Sequence, residues 1–397
     1  MKSKLKFGDC AELRLEKVDP KTSKDSFYIG LEHIEQQSLS LAGYGYGSDV
    51  DSQKQRFYQG DILFGKLRPY FRKIIIAPFD GICSTDIWVV MPKDGVDRNF
   101  LFYWMASEVF ISSSTYASEG GRMPRAKWEW VSKFELDNLN SGQQIAIGRV
   151  LRILDEKITI NKSLSKTLED IAQTIFKSWF IDFDPVKAKM NGEKPIGMDD
   201  ETAALFPDSF EESELGLIPK GWRVRSIGDS VIKQKVGKLF DSKTSFSSGL
   251  VPVLDQGKSG FVGFHNEQPG VQASPDSPLV VFANHTCTLR LISYPFSVIQ
   301  NVFPLLGNEV DVIWLYFAVL GKQQFDSYKG HWPDFVLHKI VQPPEKLTKH
   351  YRKTVEQMFK EKWILEKQSL VLMQLRDSLL PRLISSELQI PEEILAS

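Results

Sequence analysis

The stretch "SGQQIAIGRVLRILDEKITINKSLSKTLEDIAQTIFKSW", Ser141 to Trp179, decides the architecture. Positions 147, 151, 154, 158, 161, 165, 168, 172, 175 and 179 alternate steps of four and three and hold Ile, Leu, Leu, Ile, Asn, Ser, Leu, Ala, Ile and Trp. That is a heptad seam, interrupted by Asn161 and Ser165, and it predicts one long helix. Ser141 and Gln144 have capping-box spacing at its start, and "DFDP", with Pro185, ends it. At ~1.5 Å rise per residue such a rod is roughly 55 to 60 Å long. One apolar stripe needs a partner of comparable length to bury it. From about Thr348 to Leu380, Tyr351, Val355, Met358, Leu365, Leu372 and Leu379 follow the same spacing, with Lys362, Ser369 and Arg376 as polar members. Pro343 and Pro344 precede this second helix, and Pro381 ends or kinks it. Two separate amphipathic helices, each on its own core, are the other reading of the pattern.

The flanking sequence repeats as well, which favours mutual pairing. "FLFYW" (Phe100 to Trp104) is echoed by "IWLYF" (Ile313 to Phe317), "GRMPR" (Gly121 to Arg125) by "GHWPD" (Gly330 to Asp334), and "EKITINKSL" (Glu156 to Leu164) by "EKWILEKQSL" (Glu361 to Leu370). Three echoes in one order indicate a duplicated chain. Short strands such as "DILFGK", "KIIIAP" and "ICSTDIWVVMP" in the first half, and "GLVPVLD", "SPLVVFAN" and "TLRLISYP" in the second, sit between Pro and Gly turns. The expected fold is α+β: two similar globular domains separated by two long antiparallel helices that form a coiled coil. The boundaries read as a first domain over 1–140, a helix over 141–184, an acidic tether over 185–214, a second domain over 215–345, and a second long helix and tail over 346–397.

At 397 residues, 42% hydrophobic and 25% charged, the chain has the composition of a soluble multidomain protein. Its N-terminus lacks the apolar core of a leader, and its longest apolar run, Val310 to Leu320, is too short to cross a bilayer. Cys10, Cys83 and Cys287 form no CxxC pair, which suits a reducing cytoplasm. The net charge of −1 conceals sorting. Lys54 to Lys73 carries Lys54, Arg56, Lys66, Arg68, Arg72 and Lys73 against Asp61 alone. Lys220 to Lys243 carries Lys220, Arg223, Arg225, Lys233, Lys235, Lys238 and Lys243 against Asp229 and Asp241, and an acidic run over 193–214 masks both.

Motifs for catalysis are missing. "GDILFGKL" (Gly60 to Leu67) approaches a phosphate-binding loop, but Leu67 replaces the Mg²⁺-binding hydroxyl and Pro69 falls in the helix that should follow. No [ND]PP[YF], HExxH or GxSxG occurs, and His285 with Cys287 is an isolated pair. No catalytic residue, cofactor or metal is assigned, and any catalysis is expected in other chains.

The runs "GDILFGKLRP", "FLFYWM", "GGRMP", "LDEKI" leading to "IFKSWFIDFDPV", and "LGLIPKGWRV" resemble, in that order, the specificity (S) subunits of type I restriction-modification systems. The resemblance covers essentially the whole chain. The second half departs from it where "FANHTCTLRLISYP" replaces a "GKLRPYFRK" type of run. It implies a non-catalytic protein that reads a bipartite site on double-stranded DNA with two target-recognition domains. It also implies helices that set the distance between the half-sites and dock two methyltransferase subunits, with restriction and translocase subunits completing the assembly and no membrane partner. DNA contacts are then expected from Lys66, Arg68, Tyr70, Arg72, Lys73, Arg122 and Arg125 in the first domain. In the second they are expected from Lys235, Lys238, Lys243, Asn284, Arg290 and His331. Two rival readings are a coiled-coil scaffold without DNA specificity and the specificity subunit of a methyltransferase-nuclease fusion system.

Overall fold

The computed structural model describes residues 4–119, 121, 123–137, 139–246, 249–257 and 260–390. The chain forms two compact units, Met1–Ile160 with Gln368–Ser397, and Asn161–Lys367.

In the first unit, β1 (Ala11–Leu13), β2 (Ile62–Gly65), β3 (Ile74–Ile76) and β4 (Ile87–Pro92) form an antiparallel sheet in the order β1-β4-β2-β3. Successive side chains of a strand point to opposite faces. Ile62 and Phe64 therefore enter one core with Ile74, Trp88 and Val90, under the helix α1 (Arg98–Ala106). Leu63 enters another with Ile75, Ile87, Val89, Ile29 and Phe57. With both faces covered, β2 reads as an unbroken apolar run. Asp97 caps α1, its Oδ1 accepting the Phe100 N–H at 2.8 Å, and Phe100 to Ala106 are all buried. A mixed five-stranded sheet lies beside this core. The chain then enters α2 (Ser141–Phe180).

The second unit repeats the plan. β5 (Val231–Lys233), β6 (Leu279–Ala283), β7 (Leu289–Ile292) and β8 (Val302–Gly307) pair in the order β5-β8-β6-β7, the same permutation of chain order. Val280 and Phe282 face α3 (Val312–Val319), while Leu279 and Val281 face Leu254, Phe296 and Val298. Asp311 caps α3 as Asp97 caps α1. Lys4–Lys6 pairs with Glu135–Asp137 as Arg223–Ser226 pairs with Lys339–Gln342. The units differ in their second sheets, five strands against three. A second long helix, α4 (Glu345–Ile384), closes the repeat.

All ten seam positions of α2 and all nine of α4 are buried or half-buried. α2 and α4 run antiparallel: Asp155 meets Arg376 in the first unit, and Glu169 meets Lys362 in the second. Four local expectations are corrected. The capping box is Asn140 with Gln143, each side chain accepting the other's backbone N–H, at 2.9 and 3.1 Å. Gln144 instead bonds Leu139 and the Asp97 N–H. α2 ends at Phe180, because Pro185 forbids a helical turn over the preceding carbonyls; Phe183 turns left-handed (φ 57°) and Pro185 starts a new helix, Asp184–Met190. Pro381 does not end α4, which runs one turn further with Leu380 and Leu383 buried in the first unit's core. The acidic stretch over 185–214 is folded rather than a loose tether, since Val186 and Phe206 are buried with Trp179, Phe180 and Trp222.

Candidate nucleic-acid interface

In the first unit the turn after β2 and the loop before α2 are built against each other. The Arg68 N–H donates to Pro124 O at 2.8 Å, the Ala126 N–H donates to Lys66 O at 2.9 Å, and Leu67 bridges Arg125. Both Arg68 (φ 51°) and Arg72 (φ 49°) are left-handed, which folds the turn tightly around Pro69 to Phe71. The turn leaves the Tyr70 ring 44% exposed, edge-on to Phe71, with the Arg68 guanidinium 6.0 Å from the Phe71 centroid. Lys66 is half-buried beside it. Arg125 is exposed and held in a two-bond pair with Asp86, Nε donating at 2.8 Å and Nη2 at 3.1 Å.

Two members of the expected set point inward. Arg72 is buried, its Nη2 3.4 Å from Asp377 of α4, so it ties the turn to the helix. Lys73 Nζ donates to the Leu31 carbonyl, and burial lowers its pKa. Arg122 lies outside the described residues.

The second unit places the corresponding elements together: the turn after β6 receives the loop before α4. His331 N–H donates to Asn284 O at 2.9 Å, and Trp332 N–H to Asn284 Oδ1 at 2.7 Å. Asn284 and His331 are both buried, the latter bonding Ser327 O through Nε2 at 3.0 Å. Arg290 clamps a loop, donating to Asp255 O at 3.2 Å, Gly260 O at 2.7 Å and the Gly257 carbonyl. Expected as DNA contacts, these three each bond the domain's own backbone through the side chain. Lys235 and Lys243 are exposed, while Lys238 pairs with Glu267 at 2.5 Å beside the Phe240 ring.

Sequence reasoning missed an aromatic pair on this loop. Tyr328, 86% exposed, stacks on His285 at 5.3 Å and 12°. His285 is fixed beneath it by Lys329 O at 2.8 Å and Asn301 Nδ2 at 3.1 Å. Only the echo of "GRMPR" in "GHWPD" could have drawn notice to this loop. Among the described residues no group of three or more His, Cys, Asp or Glu side chains is placed to hold a metal ion, and no helix is long and apolar enough to cross a membrane.

One α+β domain and one long helix, twice over, each domain exposing a tyrosine (Tyr70, Tyr328) where its sheet turn meets the loop before the helix, define a duplicated α+β protein. No family model matches the chain. The specificity subunit of the type I restriction enzyme MjaIX of Methanocaldococcus jannaschii is 24% identical over 327 residues, 76% of this chain and 72% of that one. That of the type I restriction enzyme HindI of Haemophilus influenzae is 24% identical over 409 residues, covering 84% and 88%. The crystal structure of the type I restriction-modification S subunit from M. genitalium shares the fold, with a TM-score of 0.51 over 96% of both chains at 14% identity. Over most of its length the chain is thus similar in sequence to specificity subunits of type I restriction-modification systems, and in fold to one of them.

Proposed function

We propose that the chain is the non-catalytic DNA-reading subunit of a type I restriction-modification complex, recognising a bipartite site with one half-site for each domain. The observation that carries this is the exact repetition of sheet order in the two units, on a chain whose relatives are specificity subunits. The proposed reader domains are 1–140 and 215–345, joined through the segment 185–214 and supported on helices 141–184 and 346–397. Proposed DNA contacts are Lys66, Arg68, Tyr70, Arg122 and Arg125 in the first domain, and Lys235, Lys238, Lys243 and Tyr328 in the second. Asp86 would fix the orientation of the Arg125 guanidinium, whose planar edge suits a guanine.

The helices offer a surface for other subunits. Ile153, Ile160, Leu164 and Ile171 on α2, and Ile364, Val371 and Leu375 on α4, are exposed. They occupy the c and g heptad positions of both helices, and g flanks fall on the same side of an antiparallel pair. Exposed apolar side chains in such a row mark protein contact. We assign this flank to the two methyltransferase subunits, with the restriction and translocase subunits joining the assembled complex, in the cytoplasm.

The test is selection from a random duplex library by the chain bound to its cognate methyltransferase subunit. A two-part consensus with a constant gap is expected, with affinity falling steeply as salt rises. Recovery of unrelated sequences would sink the reading.

A further inference from the structure

Both cations in the α4 seam are buried, and each is joined through a carboxylate of α2 to a tyrosine of its own domain. In the first unit Tyr103 Oη donates to Asp155 Oδ2 at 2.6 Å, and Arg376 Nη1 donates to Asp155 Oδ1 at 2.6 Å. Arg376 is 0% exposed and also bonds Asp377 at 3.0 Å. In the second unit Tyr316 Oη donates to Glu169 Oε1 at 2.7 Å, and Lys362 Nζ lies 3.6 Å from Glu169 Oε2 and 2.5 Å from Glu366 Oε1. The two tyrosines occupy the same place in the repeat, fourth in "FLFYW" and fourth in "IWLYF". Glu169 lies two heptads beyond Asp155, and Arg376 two heptads beyond Lys362, so both bridges require the same alignment of α2 on α4.

An apolar seam repeats every seven residues and tolerates a slip of one heptad; polar seam residues do not. A slip of α4 by one heptad in either direction sets Asp155 against Ser369 or Leu383, and Glu169 against Val355 or Ser369. Both half-buried carboxylates would then face uncharged side chains, and the buried Arg376 and Lys362 would lose their α2 partners, which is unfavourable. The tyrosine hydroxyls would lose their acceptors at the same time. Both carboxylates lie on α2 and both cations on α4, so pairing either helix with a copy of itself would oppose like charges.

We infer that the two tyrosine–carboxylate–cation triads select the register of the helix pair, with Tyr103 and Tyr316 as positioning residues that seat each domain on it. On the function proposed above, that register sets the gap between half-sites; this consequence rests on that reading, whereas the register does not.

The test uses the full chain with Cys287→Ser and spin labels at Ile153→Cys and Ser378→Cys, both exposed and both in the first unit. Cys10 and Cys83 are buried, and burial pushes both thiols up, that of Cys10 to about 11, so they stay unlabelled. Dipolar spectroscopy should give one narrow distance in this parent. With Asp155, Glu169, Lys362 and Arg376 all replaced by Leu, the chain should stay helical and show a second population at a longer distance, because a one-heptad slip offsets the two facing labels by about 10 Å along the helix axis. Tyr103→Phe with Tyr316→Phe removes only the hydroxyls and should give the same second population at a lower fraction. One unchanged distance in both variants overturns the inference, and in the tyrosine pair alone does so if the leucine chain fails to fold. In a parallel library selection the leucine chain should recover more than one gap. A shifted distance with an unshifted gap would overturn the link to DNA spacing and leave the register assignment standing.

Discussion

Tyr70 and Arg72 sit two residues apart in one turn and face opposite ways. Arg72→Ala removes a buried cation from Asp377 and should cost ~1–3 kcal/mol in urea unfolding, with DNA affinity falling only as far as folding does. Tyr70→Ala removes an exposed ring and should leave stability within about 0.5 kcal/mol while weakening duplex binding several-fold. Equal stability losses in the two variants would contradict this assignment. His265 supplies a pH dependence. It is 1% exposed and stacked on Phe240 at 3.9 Å, and its Nδ1 accepts the Glu267 N–H at 3.0 Å. Burial lowers its pKa from the ordinary value of 6.5, so the unfolded chain takes up the proton more readily than the folded one. Stability is therefore full above that value and is lost as pH falls below it towards the folded-state pKa. Urea midpoints measured between pH 7 and 5 should fall less steeply for His265→Gln than for the parent.

Each long helix is read by two periodicities at once, the seam that it buries and the contacts that a domain makes on its flank. Gly148 shows how the second can reverse a helix preference. In an exposed helix, Gly→Ala stabilises by about 1 kcal/mol. Here a Cβ at 148 would lie 2.6 Å from Asp97 Oδ1 and 2.9 Å from the Phe100 nitrogen, at the capped start of α1. Because α1 is buried over seven residues, it cannot yield easily. Gly148→Ala should therefore lower the melting temperature, whereas Gly142→Ala, which meets only the Asn140 side chain at 3.4 Å, should not. The opposite order would mean that α1 shifts freely on α2. The same logic explains Pro381: burial of Leu380 and Leu383 outweighs the missing hydrogen bond and keeps the last turn helical.

On the function proposed above, the helices are the part whose length should matter and the domains the part whose side chains should matter. Removal of residues 161–167 together with 364–370 takes one heptad from each helix and leaves Asp155 in line with Arg376. At ~1.5 Å per residue each helix shortens by about 10 Å, so the selected gap should shrink by about three base pairs while both half-site sequences persist. A changed half-site at an unchanged gap would contradict the proposed division of labour.

The architecture was legible in the sequence because periodicity survives without coordinates. Steps of four and three announced both helices, and the echoes of "FLFYW" and "GRMPR" announced a duplication; the shared sheet order of the two units came only from the fold. What charge and residue type could not convey was direction. Arg72, Asn284, Arg290 and His331 have the chemistry of DNA contacts, yet neighbours in the fold such as Asp377, Trp332, Gly260 and Ser327 bond their side chains. Lys362 and Arg376 looked like flaws in a seam until the fold brought Glu169 and Asp155 across to them. A repeat pattern belongs to the chain itself, but the partner of a polar group lies anywhere from four residues away, as Ser327 from His331, to 305, as Asp377 from Arg72, and only packing brings the two within hydrogen-bonding distance.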